Sequence, residues 1–245
     1  MTWARRLAGL TLASAVALAP AASARASTTL VNVGFSKSAK AGTVAKAYAS
    51  SLWTGALFGN GPAYSERNLS VHDGSLDMRF YAGQGGYVAF DPTGEGYAPT
   101  PGHPVHLRFS AQATGTGTGY GVAFLLWPKG DDARNGEFDV LEGDLDKRQH
   151  IYPHVTGDAC RADGWCDNMI DVEMLTWKKE GWVTVDVVWA TDRITEKVNG
   201  VTRYDSCQHV PVGPHALIMQ GSGKPGATRF STSHVLVGSM KVEHL

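Results

Sequence analysis

The amino-acid sequence predicts one all-β domain, built as a β-sandwich or as a closed barrel. Apolar and polar residues alternate in several short segments, notably residues 76–80, 105–110 and 183–189, and a period of two is typical of half-buried strands. Glycine-rich turns separate these segments, and helical periodicity is nearly absent. Many short strands joined by regular turns indicate a sandwich or a barrel.

The faces of the strands follow from this alternation. Their apolar sides are formed by Leu76, Met78 and Phe80, by Val105, Leu107 and Phe109, and by Val183, Val185, Val187 and Trp189. Asn199 and Gly200 separate residues 194–198 from residues 201–204, which predicts a type I′ hairpin because both turn residues tolerate positive φ. Residues 44–52 suit one or two helical turns, and residues 167–177 fit either a helix or a strand.

The N-terminal segment has the layout of a secretory signal peptide. A basic start precedes an apolar run over residues 7–19, and small residues then offer cleavage after Ala24 or Ala26. The run is too short to span a bilayer. We therefore expect residues 1–26 to be removed and residues 27–245 to be exported as one soluble β domain, since no linker divides them.

The charge balance bears on the partners. Without the three arginines of the leader, 19 basic and 23 acidic residues remain, a formal charge of −4. This balance gives no reason to expect nucleic acid or an anionic membrane as a partner. A neutral or weakly charged substrate fits better, and we expect a secreted, extracellular monomer.

Three cysteines in an exported chain suggest a disulfide. Cys160 and Cys166 lie in one polar loop and can close a small ring, which leaves Cys207 without an assigned partner. A zinc site is the alternative, but the spacing contains no Cys-x-x-Cys pair.

Three acidic residues, Glu137, Asp139 and Glu142, form a dense cluster in a lightly charged chain. On a strand, Glu137 and Asp139 point to the same face, whereas regular alternation sends Glu142 to the other one. One extra residue near Val140 and Leu141, a β-bulge, would bring Glu142 back. The bulge is therefore a structural requirement of any shared site.

Such a cluster suits hydrolysis of a glycosidic bond with retention of configuration. That reaction needs a carboxylate nucleophile and a carboxylic acid about 5–5.5 Å apart. Crowded carboxyl groups cannot all ionise freely, so one can keep its proton near neutral pH. The alternatives are solvated charges on an exposed sheet face or a calcium site, but like charges on one face repel and the apolar flanks suit a central strand better than a calcium loop.

The run Gly-Glu-Phe-Asp-Val-Leu-Glu at residues 136–142 resembles the bulged, laminarinase-like signature of glycoside hydrolase family 16, Glu-x-Asp-x-x-Glu. The resemblance implies a β-jelly-roll sandwich of two antiparallel sheets, of the concanavalin A-like type, that cleaves β-1,3- or β-1,4-linked glucans or galactans with retention. It implies Glu137 as the nucleophile, Asp139 as the assisting acid and Glu142 as the acid/base. No cofactor or metal is expected for the chemistry, and the sequence is compatible with a structural calcium ion.

Weaker similarity extends over most of the chain from Asn68 onward. Residues 68–76 resemble an early segment of the family, which suggests that Asn68 lies near the cleft, and residues 123–128 resemble the strand before the signature. Members of the family often have a tryptophan in that strand, at the position where this chain has Leu125. Trp127 is two residues further on and shares its face, so Trp127 is expected to supply the stacking platform instead.

Aromatic side chains are the remaining candidates for substrate binding, because sugar rings stack on them. Trp127, Trp165 and Trp177 lie near loops or polar residues, whereas Trp189 belongs to an alternating strand and is expected in the core. His154 follows the acidic cluster and is expected either to hydrogen-bond a substrate hydroxyl or a catalytic carboxylate, or to be structural.

The main hypothesis is thus a secreted endo-acting glycoside hydrolase, with β-1,3- or β-1,3/1,4-glucan as the expected substrate and galactan as the second choice. The alternative is a non-catalytic, lectin-like carbohydrate-binding module on the same fold. A polysaccharide lyase ranks last, because no clear lyase triad is present.

Overall fold

The computed structural model describes residues 27–52, 64–154, 172–224, 226–228 and 230–245, and these residues form two antiparallel sheets packed face to face. The strands are β1 (Thr28–Val33), β2 (Leu69–His72), β3 (Ser75–Phe80), β4 (Gly86–Ala89), β5 (Val105–Gly115), β6 (Tyr120–Pro128), β7 (Phe138–Asp144), β8 (Arg148–Pro153), β9 (Val172–Thr176), β10 (Val183–Trp189), β11 (Ile194–Val198), β12 (Val201–Ser206), β13 (His215–Gly223) and β14 (Ser233–His244). Two short helices, α1 (Val44–Ala47) and α2 (Trp177–Glu180), and two 3₁₀ turns at Glu66–Asn68 and Ala133–Asn135 complete the described elements.

The eight-stranded sheet has the order β12-β11-β10-β5-β14-β3-β2, and β1 pairs with β14 beside this path. The six-stranded sheet has the order β4-β13-β6-β7-β8-β9. The predicted β-sandwich of two antiparallel sheets is therefore confirmed.

The core lies between the sheets and is built by the predicted alternation. Every second residue of β10, from Val183 to Trp189, is fully buried in it. Phe109 of β5 stacks on Phe124 of β6 with ring centroids 4.7 Å apart, so this pair joins the two layers directly. Burial of large side chains of this kind stabilises the sandwich by about 1.5–3 kcal/mol each.

The hairpin between β11 and β12 is also confirmed. Asn199 and Gly200 have φ of 51° and 77°, which is the left-handed pair that a type I′ turn requires. Residues 44–52, expected to form one or two helical turns, contain the short helix α1. The described part of residues 167–177 is mainly strand β9.

Several expectations fall on residues outside the described ranges. They are the leader at residues 1–26, Trp165, and the disulfide between Cys160 and Cys166, and all of them stay predictions. Cys207 is described, and its thiol is exposed and unpaired. Among the described residues, no helix is both long and apolar enough to cross a membrane.

Candidate active site

Strand β7 contains the β-bulge that the acidic cluster requires. Asp139 pairs with Leu125 of β6, while Leu141 pairs with Phe124, so Val140 is the extra residue. Val140 and Leu141 are consecutive, yet both are fully buried in the core between the sheets. Asp139 and Glu142 flank this pair and consequently lie on the same, opposite face of the sheet. The predicted bulge is confirmed.

This face of the six-stranded sheet carries a second apolar cluster, separate from the core. Its members come from β4, β6 and β13 and are Tyr87, Ala89, Ala123, Leu125, Trp127, Ala216 and Ile218, with Tyr64 packed against them. The acids of β7 lie beside it, because Asp139 pairs with Leu125 and Glu142 with Ala123. The floor next to the acids is therefore made of small and aliphatic side chains.

His154, which directly follows β8, completes the acidic cluster. Its Nε2 is 2.9 Å from Oδ2 of Asp139 and 3.6 Å from Oε2 of Glu137. Its backbone N–H donates to the carbonyl of Glu137 at 2.9 Å, which holds the two residues side by side. Of the expectations for His154, contact with a carboxylate is the one that the structure shows.

Burial dominates the electrostatics of Glu137. Burial and the neighbouring charge of Asp139 raise the pKa of Glu137 to about 8, and Glu142 adds to this increase. His154 acts in the opposite direction, because a positive imidazole favours the carboxylate.

The other two acids are linked to each other. Burial, the charge of Glu142 and a hydrogen bond with Glu142 raise the pKa of Asp139 well above its usual range. Burial also raises the pKa of Glu142, against the charges of His154 and Lys224 and the hydrogen bond with Asp139. Buried carboxyl groups that keep protons near neutral pH can donate them to a leaving group, and their ionised partners can act as nucleophiles.

A polar cavity of about 150 Å³ adjoins Glu142. Tyr64, Gln220, Ser222 and Lys224 line it together with Glu142. The ammonium group of Lys224 lies 2.6 Å from Oδ1 of Asp144. Its positive charge also acts on Glu142, where it opposes the increase in pKa that burial causes. Hydroxyl, amide and ammonium groups around one acid suit a ligand rich in hydroxyl groups.

A second cavity, of about 330 Å³, lies where β4 and β6 end and β13 begins. Tyr87, Ala89 and Ala216 belong to its wall, and Asp91 and Lys129 form an ion pair at its edge, with 3.5 Å between Nζ and Oδ2. Both cavities adjoin members of the apolar cluster, and Glu142 lines the first of them.

The predicted binding residues divide into two groups. Trp127 lies on the face of the acids, as its spacing from Leu125 predicts, but it is only 7% exposed and its Nε1 donates to Oδ1 of Asp131 at 2.8 Å. Asn68 is buried, donates to the carbonyl of Gly85 at 2.9 Å and accepts from Arg79 at 3.3 Å. Asn68 is therefore held by Gly85 and Arg79, and its expected place near the cleft stays a prediction.

The expectation that Trp177 contacts substrate is wrong. Its ring is fully buried in the core between the sheets and packs edge-on against Phe124, with centroids 5.9 Å apart. The chain leaves β9 and forms the short helix α2 at this residue, which turns the indole inward. A ring on this side of the sheet is unavailable to a sugar.

Sequence reasoning also missed residues of the site. His150 and Tyr152 stack with ring centroids 5.3 Å apart, and they pair with Glu142 and Asp139 respectively. The spacing of His150, Tyr152 and His154 by two residues is a signal that places all three on one face. Tyr64 and Lys224 come from distant segments and have no such signal.

The fold and the site together define a β-jelly-roll sandwich with three carboxyl groups on the outer face of its six-stranded sheet. The solved structures similar to this chain include two glucanases and a structure from a study of O-glycanases. SCLam, a non-specific endo-β-1,3(4)-glucanase from family GH16, aligns with a TM-score of 0.66 and 15% identity over 92% of this chain and 94% of that chain. The endo-β-1,3-glucanase from Pyrococcus furiosus aligns with a TM-score of 0.64 and 14% identity, over 89% of this chain and 94% of that chain.

The third structure comes from a study of endo-acting O-glycanases with which members of the human gut microbiota initiate mucin breakdown. Its TM-score is 0.66 and its sequence identity is 15%, over 87% of this chain and 98% of that chain. No protein-family model matches the sequence, and a search of curated proteins gives no match either. At these identities, the structural similarity shows the jelly-roll fold.

Proposed function

We propose that this chain is a retaining endo-glycoside hydrolase of β-linked polysaccharides, with β-1,3- or β-1,3/1,4-glucan as substrate. One observation carries the proposal: the bulge in β7 brings Glu142 onto the face of Asp139, where His154 contacts both Asp139 and Glu137. The solved glucanases with the same fold support the choice of glucan. Export by the leader at residues 1–26 belongs to the same proposal, because a polymer of this kind is met outside the cell.

In the first chemical step, the Glu137 carboxylate attacks the anomeric carbon and forms a glycosyl ester. The bond from that carbon to the leaving oxygen breaks with its electron pair, and the oxygen takes the proton of Glu142. In the second step, Glu142 accepts a proton from water while the water oxygen attacks the anomeric carbon, which releases the Glu137 carboxylate. Asp139 holds Glu142 by a hydrogen bond and exchanges its proton with it as the charge on Glu142 changes.

The first step requires an ionised Glu137, which burial opposes. A protonated Asp139 removes the nearest negative charge, and the contact with His154 favours the carboxylate. The ionisation of the nucleophile is therefore set by its two neighbours in the cluster. We accordingly expect activity to develop at a higher pH than the ordinary pKa of a glutamate implies.

A screen of reducing-sugar release tests the function, with laminarin, lichenan, agarose, carrageenan, chitosan and mucin as substrates and product mass as the readout. We expect oligosaccharides from laminarin or lichenan, and ¹H NMR should show the β anomer as the first product. Release of the α anomer would contradict retention. Binding without any release would favour a lectin-like module.

The Glu137→Gln variant tests the nucleophile. Replacing the carboxylate by an amide leaves the size of the side chain nearly unchanged, so we expect no turnover by a folded protein. Measurable turnover of the best polysaccharide by this variant would overturn the assignment. A 2-fluoro glycoside, which traps the glycosyl ester, should label the peptide that contains Glu137 in the unmodified chain.

A further inference from the structure

We propose that Glu137, Asp139 and His154 also form a binding site for a divalent transition-metal ion, with Zn²⁺ as the best fit, and that the bound ion blocks the cleft. The inhibitory part rests on the proposed function, whereas the binding part is independent of it. Among the residues that the structure describes, these three form the one set of His, Cys, Asp or Glu side chains whose donor atoms all lie within 4.8 Å of one another.

The spacing of the donors matches a tetrahedral ion. Bonds of about 2.0–2.2 Å from zinc to imidazole nitrogen and carboxylate oxygen place two ligands of such an ion roughly 3.4 Å apart. Nε2 of His154 lies 2.9 Å from Oδ2 of Asp139 and 3.6 Å from Oε2 of Glu137. An ion can therefore bind between them after small side-chain movements.

The backbone already holds these donors in place. The N–H of His154 donates to the carbonyl of Glu137, and Asp139 pairs with Tyr152 across β7 and β8. Asp139 is in turn hydrogen-bonded to Glu142, an outer-sphere contact of the kind that orients a metal-bound carboxylate. A preorganised donor set loses little conformational entropy when it binds an ion.

The donor types favour zinc over calcium. Zinc accepts imidazole nitrogen and carboxylate oxygen as ligands, and with three protein ligands it keeps a fourth position open, whereas calcium takes six to eight oxygen ligands. The side chains of Glu137, Asp139 and His154 are 15%, 3% and 9% exposed, so the site is sheltered but reachable from the cleft. An ion here occupies the carboxylate of Glu137 that attacks the sugar, which is why binding and hydrolysis should exclude each other.

A second histidine group on the eight-stranded sheet provides the matched control. Asp77 lies between His72 and His234, at 3.0 Å from Nε2 of His72 and 2.9 Å from Nδ1 of His234. These residues belong to β2, β3 and β14, in the other layer of the sandwich. The His72→Gln variant thus removes an imidazole from a carboxylate–histidine group without touching the cleft.

Isothermal titration of the untagged full chain with ZnCl₂ at constant pH tests the binding. We expect one zinc site in the unmodified protein. Its affinity should fall by at least ~100-fold in Glu137→Gln and in His154→Gln, and it should be unchanged in His72→Gln. Loss of an outer-sphere partner costs up to about 100-fold in metal affinity, and loss of a direct ligand should cost at least as much. Circular dichroism checks that each variant is folded, and the two variants remove different ligands. No zinc binding by the unmodified chain, or an affinity in either cleft variant equal to that of the unmodified chain, would overturn the site.

Two further measurements test the geometry and the consequence. Co²⁺ in place of Zn²⁺ should give the intense visible absorption of a four-coordinate ion, and weak octahedral absorption would contradict the arrangement. With the best polysaccharide well below its KM, Zn²⁺ should inhibit with a midpoint equal to its Kd, and a chelator should restore the rate. Binding at this site without inhibition would overturn the blocking role. If no polysaccharide is hydrolysed at all, the proposed function fails, while the titration still decides the metal site.

Discussion

Nε2 of His154 lies 2.9 Å from the carboxyl group of Asp139, and the same nitrogen reaches Glu137 at 3.6 Å. One imidazole thus faces two of the three acids, Asp139 and Glu137. Burial raises the pKa of Glu137 and of Glu142, and the charge of this imidazole opposes the increase at each of them. This contact links the strand that carries the acids to its neighbour.

The first prediction concerns the His154→Gln variant. Glutamine can hydrogen-bond Asp139 but carries no charge, so the pKa of Glu137 and that of Glu142 should both rise. Because the first step needs an ionised Glu137, the acidic limb of the profile of kcat/KM against pH should move to higher pH. The measurement is that profile on the best polysaccharide. An unchanged acidic limb would show that His154 does not act on the nucleophile.

The second prediction separates the roles of the two glutamates. Glu142→Ala should lower kcat on polysaccharide by about 10²–10⁴-fold, which is the usual contribution of a general acid. On an aryl glycoside with a good leaving group, azide should restore activity and give the β-glycosyl azide, since attack then follows the glycosyl ester. Glu137→Ala should instead give the α-glycosyl azide by direct displacement. Exchange of these two products between the variants would reverse the assignment.

The third prediction uses the bulge. Deleting Val140 leaves Asp139, Leu141 and Glu142 in regular alternation, so Glu142 should stay on the face of Asp139. We expect this variant to keep measurable activity, at a cost in stability of about 1.5–3 kcal/mol for the lost buried side chain. An alanine inserted between Leu141 and Glu142 should turn Glu142 toward the core and abolish activity.

Activity assays and urea denaturation of both bulge variants provide the comparison. Loss of all activity in a folded deletion variant would show that the bulge does more than choose the face of Glu142. Full activity in the insertion variant would contradict the facial argument itself.

The fourth prediction concerns Glu196, which is fully buried in β11 and whose two carboxyl oxygens have no hydrogen-bond partner among the described residues. Burial raises its pKa well above the ordinary value of 4.5. Above pH 4.5 the unfolded chain releases this proton while the folded chain keeps it, so stability should fall as pH rises toward the folded pKa. The Tm of the unmodified protein should therefore decrease between pH 5 and pH 8 by more than that of Glu196→Gln.

Glu196→Met extends this test. Methionine has a similar length and no polar oxygen, so it should also remove the cost of burying unpaired polar atoms, about 1–3 kcal/mol. Thermal denaturation of the three proteins at both pH values decides the matter. Equal pH dependence in all three would mean that Glu196 does not titrate between these limits.

The sequence alone determined the local features. Alternation with a period of two predicted the strands and the faces of their residues, and the positive φ tolerated by Asn199 and Gly200 predicted the hairpin. The spacing of Glu137, Asp139 and Glu142 showed that a bulge was needed, because the face of a residue depends only on counting along its own strand. The structure confirms each of these features.

Only the tertiary structure decided which strands are neighbours and which layer each face meets. His154 reaches Asp139 because β8 pairs with β7, and Lys224 comes close to Glu142 from a segment that follows β13. Trp177 turned into the core because its position depends on how α2 packs on Phe124. These relationships arise from pairing between residues far apart in the chain, and a local period carries no information about them.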